Sequence, residues 1–370
     1  MPKKVLIIGL TDKLGGVETF IYNTTIFSNK KKYEYDFLVH GSNTCVFEKE
    51  INSFYGNKKH IHYIDSIKKK PFKVFTELIK FYKNNKYDYI HLQTGSTAEI
   101  MYVFPFILFL KTKLITHSHN GNGTNKVINS LFKPIVRLCT NVYLSCSEVA
   151  AKWLFGNIRK EKYTIIKNGI DTNRFKFNEN AREKIREEYK INKNVKVIGH
   201  IGRFFIQKNH SKIIRIFNEI LKNNKNFILL LLGTGECENQ IRELVKKFKI
   251  EDSVIFAGTH MNTEDYYSAF DFFLMPSLYE GLPIVGVEAQ SCGVKCFFSN
   301  TIDKQIMISK DSVMLDLNKS DKYWANQILN SDMVKDRNFS NKEVVENGYS
   351  LFSTVNLLES IYLGDKNEEK

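Results

Sequence analysis

The stretch Pro276-Ser-Leu-Tyr-Glu280-Gly-Leu-Pro283-Ile-Val-Gly-Val-Glu288-Ala-Gln-Ser-Cys-Gly293 is the most telling part of the chain. Pro283 suits a first helical residue and Gly293 a helix stop, so the spacing predicts a helix between them. Glu280 then falls in the loop before the helix, and Glu288 two turns inside it. The backbone N–H groups expected at the helix start, residues 281 to 284, lack intrahelical acceptors and attract phosphate together with the helix dipole. In isolation, two glutamates at this spacing read as solvated or end-capping side chains. The neighbouring segments change that reading.

Short apolar runs alternate with longer amphipathic stretches along the whole chain. Val5 to Ile8, Tyr35 to Val39, Tyr89 to Leu92, Leu114 to Thr116 and Val142 to Leu144 read as strands, followed by Val197 to Ile201, Phe227 to Leu232, Val254 to Phe256, Phe272 to Met275 and Cys296 to Phe298. Between them lie helix-length patterns such as Gly16 to Ser28, Phe72 to Asn84, Lys126 to Thr140, His210 to Lys222 and Glu238 to Phe248. This is the rhythm of parallel sheets covered on both faces. It breaks once, at the turn dipeptide Asn168-Gly169 and the polar stretch up to Asn194. The expected fold class is therefore α/β, with two Rossmann-like domains facing each other across a cleft. The first domain covers 1–170, a linker 171–194 and the second domain 195–349, with a C-terminal helix at about 350–364 packing back on the first. Ligands of such sheets bind outside the carboxyl ends of the strands, so candidate residues belong on the loops that follow strands.

The 370 residues, 43% hydrophobic, suffice for two domains with sizeable cores. Only Asp365 to Lys370 has the composition of a disordered tail. Charge is uneven: residues 1–170 hold 26 Lys and Arg against 12 Asp and Glu, and the remainder 28 against 28, so the whole +14 excess sits in the first half. A basic half suits an anionic membrane surface or an anionic substrate. Nucleic acid is disfavoured, because no helix-turn-helix, zinc-finger or RNA-binding aromatic signature accompanies the lysines. The six cysteines form no C-x-x-C pair and read as reduced thiols, which points to the cytoplasm. The apolar part of the N-terminus is too short for a signal peptide and reads as a first strand. Met101 to Leu110, the most apolar run, falls well below the roughly 20 residues needed to span a bilayer and reads as a buried helix.

Five loops carry candidate chemistry. Gly9-Leu-Thr-Asp-Lys-Leu-Gly15-Gly16 follows the first strand and opens a helix, with a spacing that fits neither G-x-G-x-x-G nor the Walker loop. Gly202-Arg203-Phe-Phe-Ile-Gln-Lys208 follows the first strand of the second domain, where an Arg fork and a Lys point charge can hold a diphosphate from two sides. His117-Ser-His119 ends a strand and leads into Gly121-Asn-Gly123, where a histidine can meet a sugar hydroxyl. Gly233-Thr-Gly235 and Gly258 are strand-end turns suited to a base or ribose passing close to backbone. The chain contains no D-x-D pair of the kind that holds a divalent metal on a diphosphate, so cations and a helix start are expected to do that work.

In combination these elements resemble the retaining, metal-independent glycosyltransferases of the GT-B fold, family four, over nearly the whole chain. The resemblance rests on Gly15-Gly16, His119, Ser145-Cys-Ser147-Glu, Asn168-Gly-Ile-Asp171 with Phe175, Gly202-Arg203 with Lys208, Leu232-Gly-Thr-Gly235, and Pro276-Ser277 leading into Glu280 and Glu288. It implies that Glu288 binds the ribose hydroxyls and Glu280 lies near those of the donor sugar. Arg203 and Lys208 would hold the diphosphate with backbone at Gly16 and at Gly281, Leu282, Pro283 and Ile284. His119 would touch the sugar from the other domain. His117 is the alternative there, and His119 is preferred because it is nearer the loop. No cofactor or metal is implied, since the nucleotide sugar is a substrate.

The implied reaction transfers a sugar from a UDP-sugar, or a GDP-sugar, to a glycan or polyprenyl-linked acceptor in capsule, exopolysaccharide or other surface-glycan synthesis. Cations on the leaving diphosphate would stabilise the transition state more than the ground state. A double-displacement use of Glu280 as nucleophile is less favoured, because such enzymes flank the bond with two carboxylates about 5 Å apart. A sugar-nucleotide epimerase of the same architecture and a non-catalytic partner subunit are the rival readings. Phe72, Phe75, Leu78, Ile79 and Tyr82 recur at helical spacing among Lys73, Lys80 and Lys83, and fit either an anionic membrane surface or a helix packed on the sheet.

Overall fold

The computed structural model describes residues 2–56, 59–104, 107, 111–121 and 126–364. The chain divides into two compact units, Met1–Gly169 with Leu351–Lys370, and Ile170–Ser350.

The first unit carries strands β1 (Lys3–Ile8), β2 (Tyr33–His40), β3 (Ile61–Ile64), β4 (Tyr89–Thr94), β5 (Lys113–Ser118), β6 (Val142–Ser145) and β7 (Tyr163–Ile165), ordered β3-β2-β1-β4-β5-β6-β7. Every pairing is parallel. Strand side chains alternate between the two faces: Leu6 and Ile8 pack with Val74 and Leu78, while Val5 and Ile7 pack with Phe20, Ile21 and Leu358. Each such buried side chain is worth roughly 1.5–3 kcal/mol. The helix Leu351–Leu363 seals the second face, with Tyr362 Oη 2.6 Å from His91 Nδ1 and Tyr33 donating to the Glu359 carbonyl at 3.0 Å.

The second unit carries β8 (Lys196–Ile201), β9 (Phe227–Leu232), β10 (Val254–Gly258), β11 (Phe272–Met275), β12 (Lys295–Ser299) and β13 (Val313–Leu315), ordered β10-β9-β8-β11-β12-β13 and again all parallel. The continuous run of β9 is explained by its neighbours. Leu229 and Leu231 meet Ile213, Phe217 and Trp324 on one face, and Leu230 and Leu232 meet Tyr267 and Val287 on the other.

Strand order reverses at one place in each sheet, between β1 and β4 and between β8 and β11. A crevice opens at such a switch point, outside the carboxyl ends of the strands. Both crevices are bordered by loops that the sequence singles out.

Three findings depart from the sequence-based expectations. The edge strands β3, β7 and β13, of four, three and three residues, are too short to show a period and went unpredicted. Residues 171–194, expected as a linker, belong to the second unit. Their helix Glu179–Glu188 is capped by Asn178, buries Ile185, and sends Arg182 and Arg186 to the two oxygens of Asp271 at 2.7 and 2.6 Å. The Met101 to Leu110 run contributes buried Val103 and Ile107 beside a 3₁₀ turn at Thr97–Tyr102, and its residues 105, 106 and 108–110 lie outside the described residues. Asp365 to Lys370 lies outside them too.

Candidate functional site

In the second unit the loops after β8 and β11 are sewn together. Leu278 N–H donates to the Gln207 carbonyl at 2.8 Å, Gln207 Nε2 to the Tyr279 carbonyl at 2.9 Å, and Asn209 Nδ2 to the Pro276 carbonyl at 3.0 Å. Lys208 Nζ lies 2.6 Å from Glu280 Oε1, with side chains only 19% and 11% exposed. The backbone of Glu280 is held by a parallel bridge to Ile302. Arg203 stands exposed at the mouth of the same loop, its guanidinium 5.8 Å from the Phe205 ring centre.

The helix after Glu280 begins at Ile284, with Pro283 as its extended N-cap. This corrects the predicted start. Pro283 has a φ of −72° that would suit a helix, but its ψ of 120° is extended, so it stands just outside the first turn, and it has no N–H to offer. Gly286 N–H turns inward to the Pro283 carbonyl at 3.0 Å, which leaves the N–H groups of Ile284 and Val285 as those the helix start presents. Glu288 lies four residues past Ile284, about one turn into the helix and not the two turns expected from the sequence. Gly281 lies in the preceding loop with open space around its α-carbon.

Glu288 keeps part of its surface at the wall of this crevice. Burial pushes its carboxyl up to about 7, against the opposing pull of the Tyr267 hydrogen bond and the Arg174 charge. Tyr267 Oη lies 2.9 Å from Glu288 Oε2. Arg174 is held in place by Glu264 at 2.8 Å and the Met261 carbonyl at 2.6 Å.

The glycine turns have a local explanation. A Cβ on Gly233, whose φ is +126°, would stand 2.1 Å from the Gly202 carbonyl oxygen, and one on Gly235 would stand 2.5 Å from that of Phe204. These two glycines let the loop after β9 close against the backbone of the Arg203 loop, and that contact by itself requires them. Gly258 has φ +77° and leaves open space.

In the first unit, Gly15 is the N-cap of the helix Gly16–Phe27 with no side-chain cap. His117 is fully buried inside β5, whereas His119 at the strand end keeps some surface, so His119 is the one of the pair a solute can reach. Burial holds the His119 ring neutral, its pKa lowered to about 3. Its Nε2 lies 3.0 Å from Gln93 Oε1, so the neutral ring donates from Nε2 and keeps Nδ1 as an acceptor. Residues 122–124 of the adjoining glycine loop lie outside the described residues.

Two family models match, Glycosyltransferase Family 4 over residues 14–174 and Glycosyl transferases group 1 over 181–313. The chain belongs to the family-four glycosyltransferases. Among its relatives, EpsF of Bacillus subtilis (strain 168) is 27% identical over 97% of this chain and 96% of its own. The UDP-Gal:α-D-GlcNAc-diphosphoundecaprenol α-1,3-galactosyltransferase of Escherichia coli is 23% identical over 80% of each chain. HepE of Anabaena, whose crystal structure is a complex with UDP, superposes with a TM-score of 0.82 at 14% identity, covering 98% of this chain and 100% of its own.

Sequence reasoning about this glycosyltransferase missed Tyr267, Arg174 and Gln93, each of which acts on a predicted residue by a hydrogen bond or a charge. It also missed Glu99, at the switch point of the first sheet beside β4. Burial pushes its carboxyl up to about 7, with a Thr94 hydrogen bond pulling down and Glu18 pushing up. None of these residues lies in a motif, and only the folded chain brings them to their partners.

Proposed function

We propose that this glycosyltransferase moves a sugar from a nucleoside diphosphate sugar, with UDP favoured over GDP, onto a glycan or lipid-linked acceptor of surface polysaccharide. In this reading transfer proceeds with retention and without a metal. The carrying observation is Lys208 Nζ at 2.6 Å from Glu280 Oε1, beside the helix start at Ile284. In a nucleotide sugar the β-phosphate is bonded directly to the sugar, so the cation serving one and the carboxylate serving the other must be neighbours.

Lys208, Arg203 and the N–H groups of Ile284 and Val285 take up the charge that develops on the leaving diphosphate. Glu280 accepts hydrogen bonds from the donor sugar and Glu288 from the ribose, while His119 bonds the donor sugar through Nδ1. The leaving phosphate assists deprotonation of the acceptor on the same face, so no separate nucleophile is required. UDP is favoured by the UDP complex of HepE and by the donor in the Escherichia coli enzyme's name, which also supplies the lipid-diphosphate acceptor.

Attachment to an anionic membrane is part of the proposal. Leu78 and Tyr82 of the segment first considered for it are buried in the first unit's core, although Phe72 and Phe75 are exposed. A better surface is the helix Lys126–Cys139, whose Val127, Leu131 and Leu138 are 80%, 69% and 74% exposed beside exposed Lys126 and Arg137. No helix among the described residues is long and apolar enough to cross a membrane.

The test is incubation with a panel of UDP- and GDP-sugars, with and without polyprenyl-diphosphate-linked glycan, following nucleotide release and the anomeric configuration of the product. Acceptor-dependent release with a retained anomer, unaffected by EDTA, is expected. An inverted product, a strict metal requirement, or epimerised sugar without an acceptor would sink the reading.

A further inference from the structure

Tyr267 is completely buried. Its ring is packed by Phe175, Phe270 and Phe273, with centroids 6.0, 5.8 and 6.0 Å away. Only the phenol oxygen has polar business: it lies 2.9 Å from Glu288 Oε2 and 3.1 Å from the Val285 carbonyl oxygen. The carbonyl cannot donate, so the phenol proton serves it and the carboxylate, and an ionised carboxylate is the stronger acceptor. Burial also holds the Tyr267 pKa well above its ordinary value, so the group stays a donor.

A glutamate side chain loses rotamer entropy when it is fixed in one geometry. A donor held rigidly by the core moves that cost from ligand binding to folding. Above about pH 7, where Glu288 is ionised, its carboxylate offers roughly four lone-pair sites, and Tyr267 uses one, which leaves enough for two vicinal hydroxyls. Val285 belongs to the first turn of the helix, whose N–H groups are those offered to the diphosphate. One phenol therefore ties the ribose acceptor and the phosphate-binding turn to a common rigid point.

We propose that Tyr267 is a positioning residue for nucleotide recognition, aiming Glu288 at the 2′- and 3′-hydroxyls of the ribose. The proposal rests on the reading of Glu288 given under Proposed function.

Calorimetric titration of UDP, 2′-deoxy-UDP and 3′-deoxy-UDP tests it on the full chain and on Tyr267→Phe, Glu288→Gln and the double variant, with GDP analogues if the donor panel selects guanine. The parent is expected to prefer UDP to its deoxy analogues by about tenfold or more, one good hydrogen bond to a charged group. Tyr267→Phe should weaken UDP by about tenfold while changing the deoxy analogues less than about twofold, and should add little to Glu288→Gln. Equal weakening of UDP and deoxy-UDP by Tyr267→Phe, or a variant that no longer melts cooperatively, would make Tyr267 a residue of the fold and overturn the inference. Preference retained in Tyr267→Phe would overturn it as well, with the Glu288 reading intact. A parent that does not discriminate would remove the Glu288 reading first and this inference with it.

Discussion

Lys208 and Glu280, on loops after two adjacent strands, neutralise each other at 2.6 Å with both side chains largely buried. The contact is an ion pair without an aligned hydrogen bond, since Glu280 Oε1 has no donor in hydrogen-bond geometry. In the free protein each ion thus answers for the other. Replacing Lys208 by Ala leaves a buried carboxylate without a counter-charge, which is expected to destabilise the fold by roughly 1–3 kcal/mol. Adding Glu280→Gln should restore most of the loss. Thermal melts of the two single variants and the double variant measure the coupling, and strict additivity would show that the pair does not interact.

In the proposed reaction the same lysine acts with Arg203 on the leaving group. Arg203→Ala together with Lys208→Ala should lower sugar transfer on the order of 10²-fold or more, with kcat affected at saturating donor. Turnover within a few fold of the parent would remove both from the leaving-group role.

Glu288 gives a stability prediction with a definite sign. Its carboxyl is raised from the ordinary 4.5 to about 7, so the folded state holds a proton that the unfolded state has released across that window. The group's contribution to stability is full below pH 4.5, declines as pH rises to about 7 and stays low above it. Glu288→Gln removes this loss. It is expected to melt a few degrees higher than the parent at pH 8, roughly 1–3 kcal/mol after allowance for its residual exposure, and nearly level with it at pH 4.5. Nucleotide affinity should fall in the same variant. A melting advantage that does not change with pH would place the effect elsewhere.

The exposed face of the helix Lys126–Cys139 predicts membrane behaviour. Leu131→Ser and Leu138→Ser each remove a side chain whose burial is worth about 1.5–3 kcal/mol, so binding to anionic vesicles should fall by about tenfold per substitution. Donor binding should be unchanged. Sedimentation at low and high salt measures it, and equal binding by parent and double variant would exclude this face.

The fold was legible because the long strands are buried on both faces. Phe227 to Leu232 must be apolar at every position when one alternation meets Ile213 and the other Tyr267, and such a run announces itself. The three-residue strand Val313–Leu315 carries no period and waited for its neighbour Phe297 to Ser299. Among the candidate site residues, those bound to glycine turns or to a helix start were readable. Arg182 and Arg186 looked like solvated charge on a linker, and only the position of Asp271 at 2.7 and 2.6 Å shows that they anchor it.

Local chain chemistry was enough to place Arg203, Lys208, Glu280 and Glu288 on loops and a helix at strand ends, because propensity and hydrophobic period act over a few residues. It could not say that Lys208 is already paired with Glu280, that Tyr267 grips Glu288, or that Gln93 sets the tautomer of His119. Those outcomes depend on contacts of about 3 Å or less between residues far apart in the chain and on how much water burial removes, and both quantities exist only once the sheets have formed.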